Sequence, residues 1–147
     1  MLKKRILEAV EQGDIAALYL IEPEAAENFD EEQLGRFYAN ILDLALENLT
    51  DALESKRRLS FENAQDICTI KALYEYALEH FDASKTHDAS ALFEILSGLS
   101  DNREFSQAMK KHQDGTKNMK NLEQFLEQIA DLEATEKSGT FYISEFR

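Results

Sequence analysis

The chain of 147 residues carries 29 acidic and 16 basic side chains, a formal net charge of −13 at pH 7, with 44% hydrophobic and 31% charged residues. That length suits one domain and that composition suits a folded, soluble protein. The acidity argues against a protein that grips phosphate backbones, which needs clustered Lys and Arg. One Pro and five Gly supply too few turn signals for an all-β sandwich.

The N-terminus opens Leu2-Lys3-Lys4-Arg5, a charged start like that of a signal peptide, but Glu8 and Glu11 interrupt any apolar run and no small-residue cleavage site follows. The longest uncharged stretch, residues 15–21, is far short of the roughly 20 residues of a membrane span. A single cysteine, Cys68, forms no intramolecular disulfide and anchors no zinc site alone. These features predict a cytoplasmic protein.

Leu2, Ile6 and Val10 mark a short amphipathic helix, and Gly13-Asp14 a tight turn that caps a second. Pro23 suits the first position of a third short helix. Paired short helices joined by Gly-Asp occur in ankyrin-like solenoids. No internal repeat of 33 or 34 residues and no Trp-centred tetratricopeptide pattern follows, so no solenoid is expected.

Asp30-Glu31-Glu32-Gln33 has the spacing of a capping box. Behind it Leu34, Phe37, Tyr38, Ile41, Leu42, Ala45, Leu49 and Leu53 recur at steps of three and four, while Asp43, Glu47, Asp51 and Glu54 take the opposite face. Ser60 is the expected N-cap of the next helix, whose stripe is Ile67, Ile70, Leu73, Tyr74, Ala77, Leu78 and Phe81. Cap candidates at residues 84–88 precede a helix through Leu92, Phe93, Ile95, Leu96 and Leu99. Asp101 to Glu104 repeats the capping-box spacing before Phe105, Ala108, Met109 and His112. Gly115 is expected to end or kink that helix. Thr116 then caps a last one with a near-heptad seam of Met119, Leu122, Leu126 and Ile129, closed by Ser138-Gly139.

Motifs that carry chemistry are few. The glycines are isolated and form no phosphate-binding loop. A ferritin-like metal pair needs Glu-x-x-His on two helices, and the residues three before His80, His87 and His112 are Ala77, Ser84 and Met109. Ser84 lies near His80 and His87 but reads as a turn or cap residue. Cys68, between Ile67 and Ile70, reads as a small buried hydrophobe. Tyr19, Tyr38, Tyr74 and Tyr76 read as helix-surface or core-edge aromatics rather than proton donors.

Charge is unevenly spread. Residues 23–54 hold nine acidic side chains and one basic, a net of −8, whereas residues 101–122 are net +2. The acidic stretch is either a solvated face or a docking face for a basic partner. The C-terminal residues 140–147 change to β-prone, aromatic-rich sequence with Phe141, Tyr142 and Phe146. Such a segment either folds back on its own helices or docks on another chain, and in both cases its backbone needs partners.

The reading is therefore all-α: one domain, 1–147, with a short N-terminal helical hairpin at 1–29, an up-down bundle of four to six main helices at 30–138 and an extended aromatic tail at 139–147. The expected function is that of a non-enzymatic acidic interaction module, adaptor or chaperone-like. In small size, low pI and full helicity the chain is similar to acidic secretion chaperones. A protein partner or self-association is expected, with no nucleic acid, membrane, cofactor, metal or catalytic residue. Its candidate partner-binding residues are Asp43, Glu47, Asp51, Glu54, Phe141, Tyr142 and Phe146. The alternative is a small metal-binding or enzymatic bundle that uses Glu75, Glu79, His80 and Glu94.

Overall fold

A computed structural model describes residues 1–147. Eight helices hold 76% of the chain and no strand forms. They are α1 (Leu2–Gln12), α2 (Ile15–Asn28), α3 (Glu31–Glu54), α4 (Ala64–Asp82), α5 (Thr86–Leu99), α6 (Arg103–Asn118), α7 (Leu122–Gln128) and α8 (Leu132–Ser138). The all-α expectation holds, and the count of four to six is corrected to eight. The chain forms two compact units, Met1–Ala72 and Leu73–Arg147, with the boundary inside α4. No helix is long and apolar enough to cross a membrane.

In Met1–Ala72, α1 ends where Gly13 turns left-handed at φ 66°, a conformation that glycine adopts without Cβ strain. Asp14 then caps α2, its carboxylate accepting from the Ala17 N–H at 3.0 Å. Pro23 does not open a third helix. It lies inside α2, where the buried stripe of Leu18, Ile21 and Ala25 carries the helix through it, although an interior proline forfeits one backbone bond. The predicted capping box of α3 forms: Gln33 N–H donates to Asp30 Oδ1 at 2.8 Å, and Asp30 N–H donates to Gln33 Oε1 at 3.2 Å. Phe37, Ile41, Ala45, Leu49 and Ala52 form its buried stripe.

The cap of α4 is Asn63, not Ser60. Asn63 Oδ1 accepts from the Asp66 N–H at 3.0 Å, while the Ser60 N–H is spent on the Asp66 carboxylate at 3.0 Å. The Ser60 hydroxyl oxygen instead accepts from the Glu62 N–H at 3.1 Å, closing a turn ahead of the helix, and Leu59 beside it is fully buried. Adjacent residues of the first turn of α4 fasten the unit. Gln65 receives the Ile15 N–H at 2.8 Å and donates to Asp14 at 2.7 Å. Asp66 receives Arg57 at 3.1 and 3.2 Å and Asn48 at 3.0 Å. Burial opposes the Asp66 charge, but the Ser60 N–H, Asn48 and Arg57 outweigh it and hold the carboxyl below its usual value.

In Leu73–Arg147, the end of α4 is a Schellman closure with Ser84 left-handed at φ 64°. The Lys85 N–H donates to the His80 carbonyl at 2.8 Å and the Ser84 N–H to the Phe81 carbonyl at 3.1 Å. Ser84 is therefore the left-handed residue that closes α4 just beyond its end, and α5 starts after Lys85 without a side-chain cap. Asn102 rather than Asp101 caps α6, accepting from the Phe105 N–H at 2.9 Å.

Gly115 neither ends nor kinks α6. It is buried within the helix because the Phe125 ring lies over it, so closely that an added Cβ would overlap the ring. Thr116, expected to cap a last helix, is also inside α6 and donates to the Gln113 carbonyl at 2.6 Å. The expected single helix over the heptad seam is two helices, α7 and α8, capped by Asn121 and Asp131. The break falls where Ala130 and Phe146 form an antiparallel bridge. There the Arg147 N–H donates to the Ile129 carbonyl and the Asp131 N–H to the Glu145 carbonyl, each at 2.9 Å. The extended tail thus finds the backbone partners it requires. Gly139 closes α8 at φ 71°, as Ser138-Gly139 predicts.

Candidate functional site

The 24-residue α3 presents Asp43, Glu47, Asp51 and Glu54 along one exposed face, at helical spacings of four, four and three. With Leu46 and Thr50 they line a shallow groove of about 540 Å³. Leu46 and Leu53 are 37% and 52% exposed, so the charges flank apolar surface rather than surround more charge. Asp51 is held by Arg57 at 3.2 Å, side chain to side chain. Asp43, Glu47 and Glu54 form no ion pair and keep their full field toward solvent.

The other candidates lie elsewhere. Phe141, Tyr142 and Phe146 belong to an aromatic cluster within Leu73–Arg147. Tyr142 is 6% exposed and meets Phe105 edge-on at 4.8 Å between centroids. Phe141 lies 6.0 Å from Phe105, and Phe146 is 5.9 Å from His112, with the Lys111 ammonium 5.1 Å above its ring. The tail therefore folds back onto its own unit.

A neutral polar relay holds that cluster together. His112 is fully buried, and its Nδ1 lies 2.7 Å from the Ala108 carbonyl oxygen. An oxygen acceptor there requires a proton on Nδ1, which leaves Nε2 to accept from the Tyr74 hydroxyl at 2.9 Å. Tyr74 Oη in turn accepts from the Ile143 N–H at 3.0 Å. Burial pushes His112 down to about 4, against the weaker opposing effect of the Ala108 carbonyl, and pushes the Tyr74 hydroxyl up. This buried chain of hydrogen bonds joins α4 and α6 to the tail backbone at Ile143 and so fastens the tail. Periodicity places His112 and Tyr74 each on a core face but does not pair them across 38 residues.

The alternative centre is not assembled. No three His, Cys, Asp or Glu side chains are grouped so as to hold a metal ion. Glu75, Glu79 and Glu94 are exposed on helix surfaces, and His80 meets Tyr76 edge-on at 4.5 Å between centroids. Cys68 is half-buried, and burial raises its thiol above the usual value, which disfavours the reactive thiolate. The chain matches no protein-family model, and comparisons with curated proteins and with solved structures give no match either.

Proposed function

We propose that this chain is a non-catalytic interaction module that receives a basic protein segment on the acidic face of α3. The observation that carries the reading is the row of Asp43, Glu47 and Glu54, exposed, unpaired and bordered by Leu46 and Leu53. Carboxylates steer a basic chain toward the face, and the exposed leucines give it apolar surface to cover. A partner that matches this surface is an amphipathic helix with Lys or Arg beside its apolar stripe.

The tail is assigned a different task in this reading. Its aromatics fasten Leu73–Arg147, so the docking role rests on α3. Capture from native lysate tests the proposal, using the wild-type chain and the variant Asp43→Asn, Glu47→Gln, Glu54→Gln. Asp51 is left in place because Arg57 holds it. A partner retained by the wild type and lost by the variant supports the reading. A partner retained equally by both removes it.

A further inference from the structure

The chain carries a net charge of −13, yet one cavity within Met1–Ala72 has cations and no carboxylate among its lining residues. This cavity of about 300 Å³ opens between α1, the end of α2 and the first half of α3. Its floor is apolar: Ile6, Phe29 and Phe37, the last 2% exposed. Arg36 and Asn40 stand on the α3 side four residues apart, on one helix face. Lys3 closes the cavity from α1, and no carboxylate lines it.

The polar groups around that floor are mostly donors. Lys3 forms no ion pair. Arg36 reaches Glu32 through Nη1 alone, at 3.0 Å, which leaves its other N–H groups available. Gln33 commits its Oε1 to the capping box, so what it offers the cavity is its amide N–H₂. A hydrocarbon alone would leave these donors uncovered, and a cation would be repelled by Lys3 and Arg36. A bare phosphate would leave the floor of Ile6, Phe29 and Phe37 in water.

We infer that this cavity binds a short aliphatic carboxylic acid, its carboxylate held by Lys3 and Arg36 and its chain lying on Ile6, Phe29 and Phe37. The volume is at the lower end of the roughly 300–1,000 Å³ typical of ligand sites, which selects a short chain. Because the cavity is open and both cations are solvated, the affinity is modest, with a Kd on the order of 1 mM.

The test is a ¹H–¹⁵N titration of the full chain with sodium hexanoate at constant ionic strength, alongside hexanol and hexylammonium. The expected result is saturable shifts at Lys3, Ile6, Phe29, Gln33, Arg36 and Asn40 with hexanoate. Hexanol is expected to bind about tenfold more weakly, a factor of ten being about 1.4 kcal/mol, and hexylammonium to leave these amides unmoved. The double variant Lys3→Gln, Arg36→Gln should lose hexanoate binding while keeping the rest of its spectrum. If that variant misfolds, Lys3→Gln alone, on an exposed residue, takes its place and should weaken binding. No saturable shift, equal binding of hexanol, or unchanged affinity in the variant would overturn the inference. So would concentration-dependent shifts of the same amides without any added acid, which would give the cavity to a second copy of the chain.

Discussion

On α3, Asp43, Glu47 and Glu54 stand in water with no counter-charge, whereas at the C-terminus Tyr142 and Ile143 are only 6% and 8% exposed. The difference follows from solvation. Ionised carboxylates are costly to bury and stay outside unless paired, while an aromatic-rich segment gains about 1.5–3 kcal/mol for each large side chain it hides. The extended tail therefore takes the nearest apolar surface, which its own unit supplies. The charged face has nothing to gain from the interior and remains open to another molecule. One region spends its binding energy within the chain, and the other is the face proposed to meet a partner.

Ending the chain at Gly139 is the severest break of this contrast. It removes Tyr142 and Ile143 from the core, takes the hydrogen-bond donor away from Tyr74 and strips the Ala130 bridge. The loss should be on the order of 5 kcal/mol, comparable with the whole stability of a small domain. Urea unfolding followed by circular dichroism checks it, and a midpoint unchanged by truncation would show that the tail is not structural. Tyr74→Phe is next. It strands the Ile143 N–H and His112 Nε2 together, at about 1–3 kcal/mol for each buried group. The same unfolding experiment should lose about 3 kcal/mol, with the tail amides exchanging first.

Acid sharpens the comparison further. His112 has a folded value of about 4 against an ordinary 6.5, so the unfolded chain takes a proton before the folded one does. The relay's contribution is therefore complete above about pH 6.5 and is lost as pH falls toward 4, a change of roughly 3 kcal/mol. Asp66 is depressed below the ordinary 3.8, so its contribution persists above that value and fades only as pH falls through the lower folded one. Hydrogen exchange between pH 7 and 4 should thus show Leu73–Arg147 loosening while the Asp66 clamp of Met1–Ala72 holds. Equal loosening of both units would contradict the assignment.

The elements legible in the sequence were those decided locally. The stripe of α3, its capping box and the glycine closures at Gly13 and Gly139 depend on residues within a few positions, and the acidic face follows from the same spacing. Long-range contacts decided the rest. Gly115 is packed under Phe125, α7 and α8 separate at the residues that bridge to the tail, and Ser60 lies in a turn ahead of the Asn63 cap, its N–H held by Asp66. Pro23 remains in α2 because that helix already has a buried stripe. The cavity beneath Lys3 and Arg36 was equally hidden, since its walls come from three segments.

The smallest effect on stability belongs to the acidic face. Neutralising Asp43, Glu47 and Glu54 removes exposed, unpaired charges and should change unfolding by about 0.5 kcal/mol or less. Its effect on association should be larger. The most direct measurement is the association rate of a captured partner as a function of NaCl, for the wild type and for Asp43→Asn, Glu47→Gln, Glu54→Gln. The wild-type rate should fall steeply with salt, and the variant should start about tenfold slower with a flatter dependence. Identical rates and salt slopes in the two proteins would contradict the assignment of partner recognition to α3.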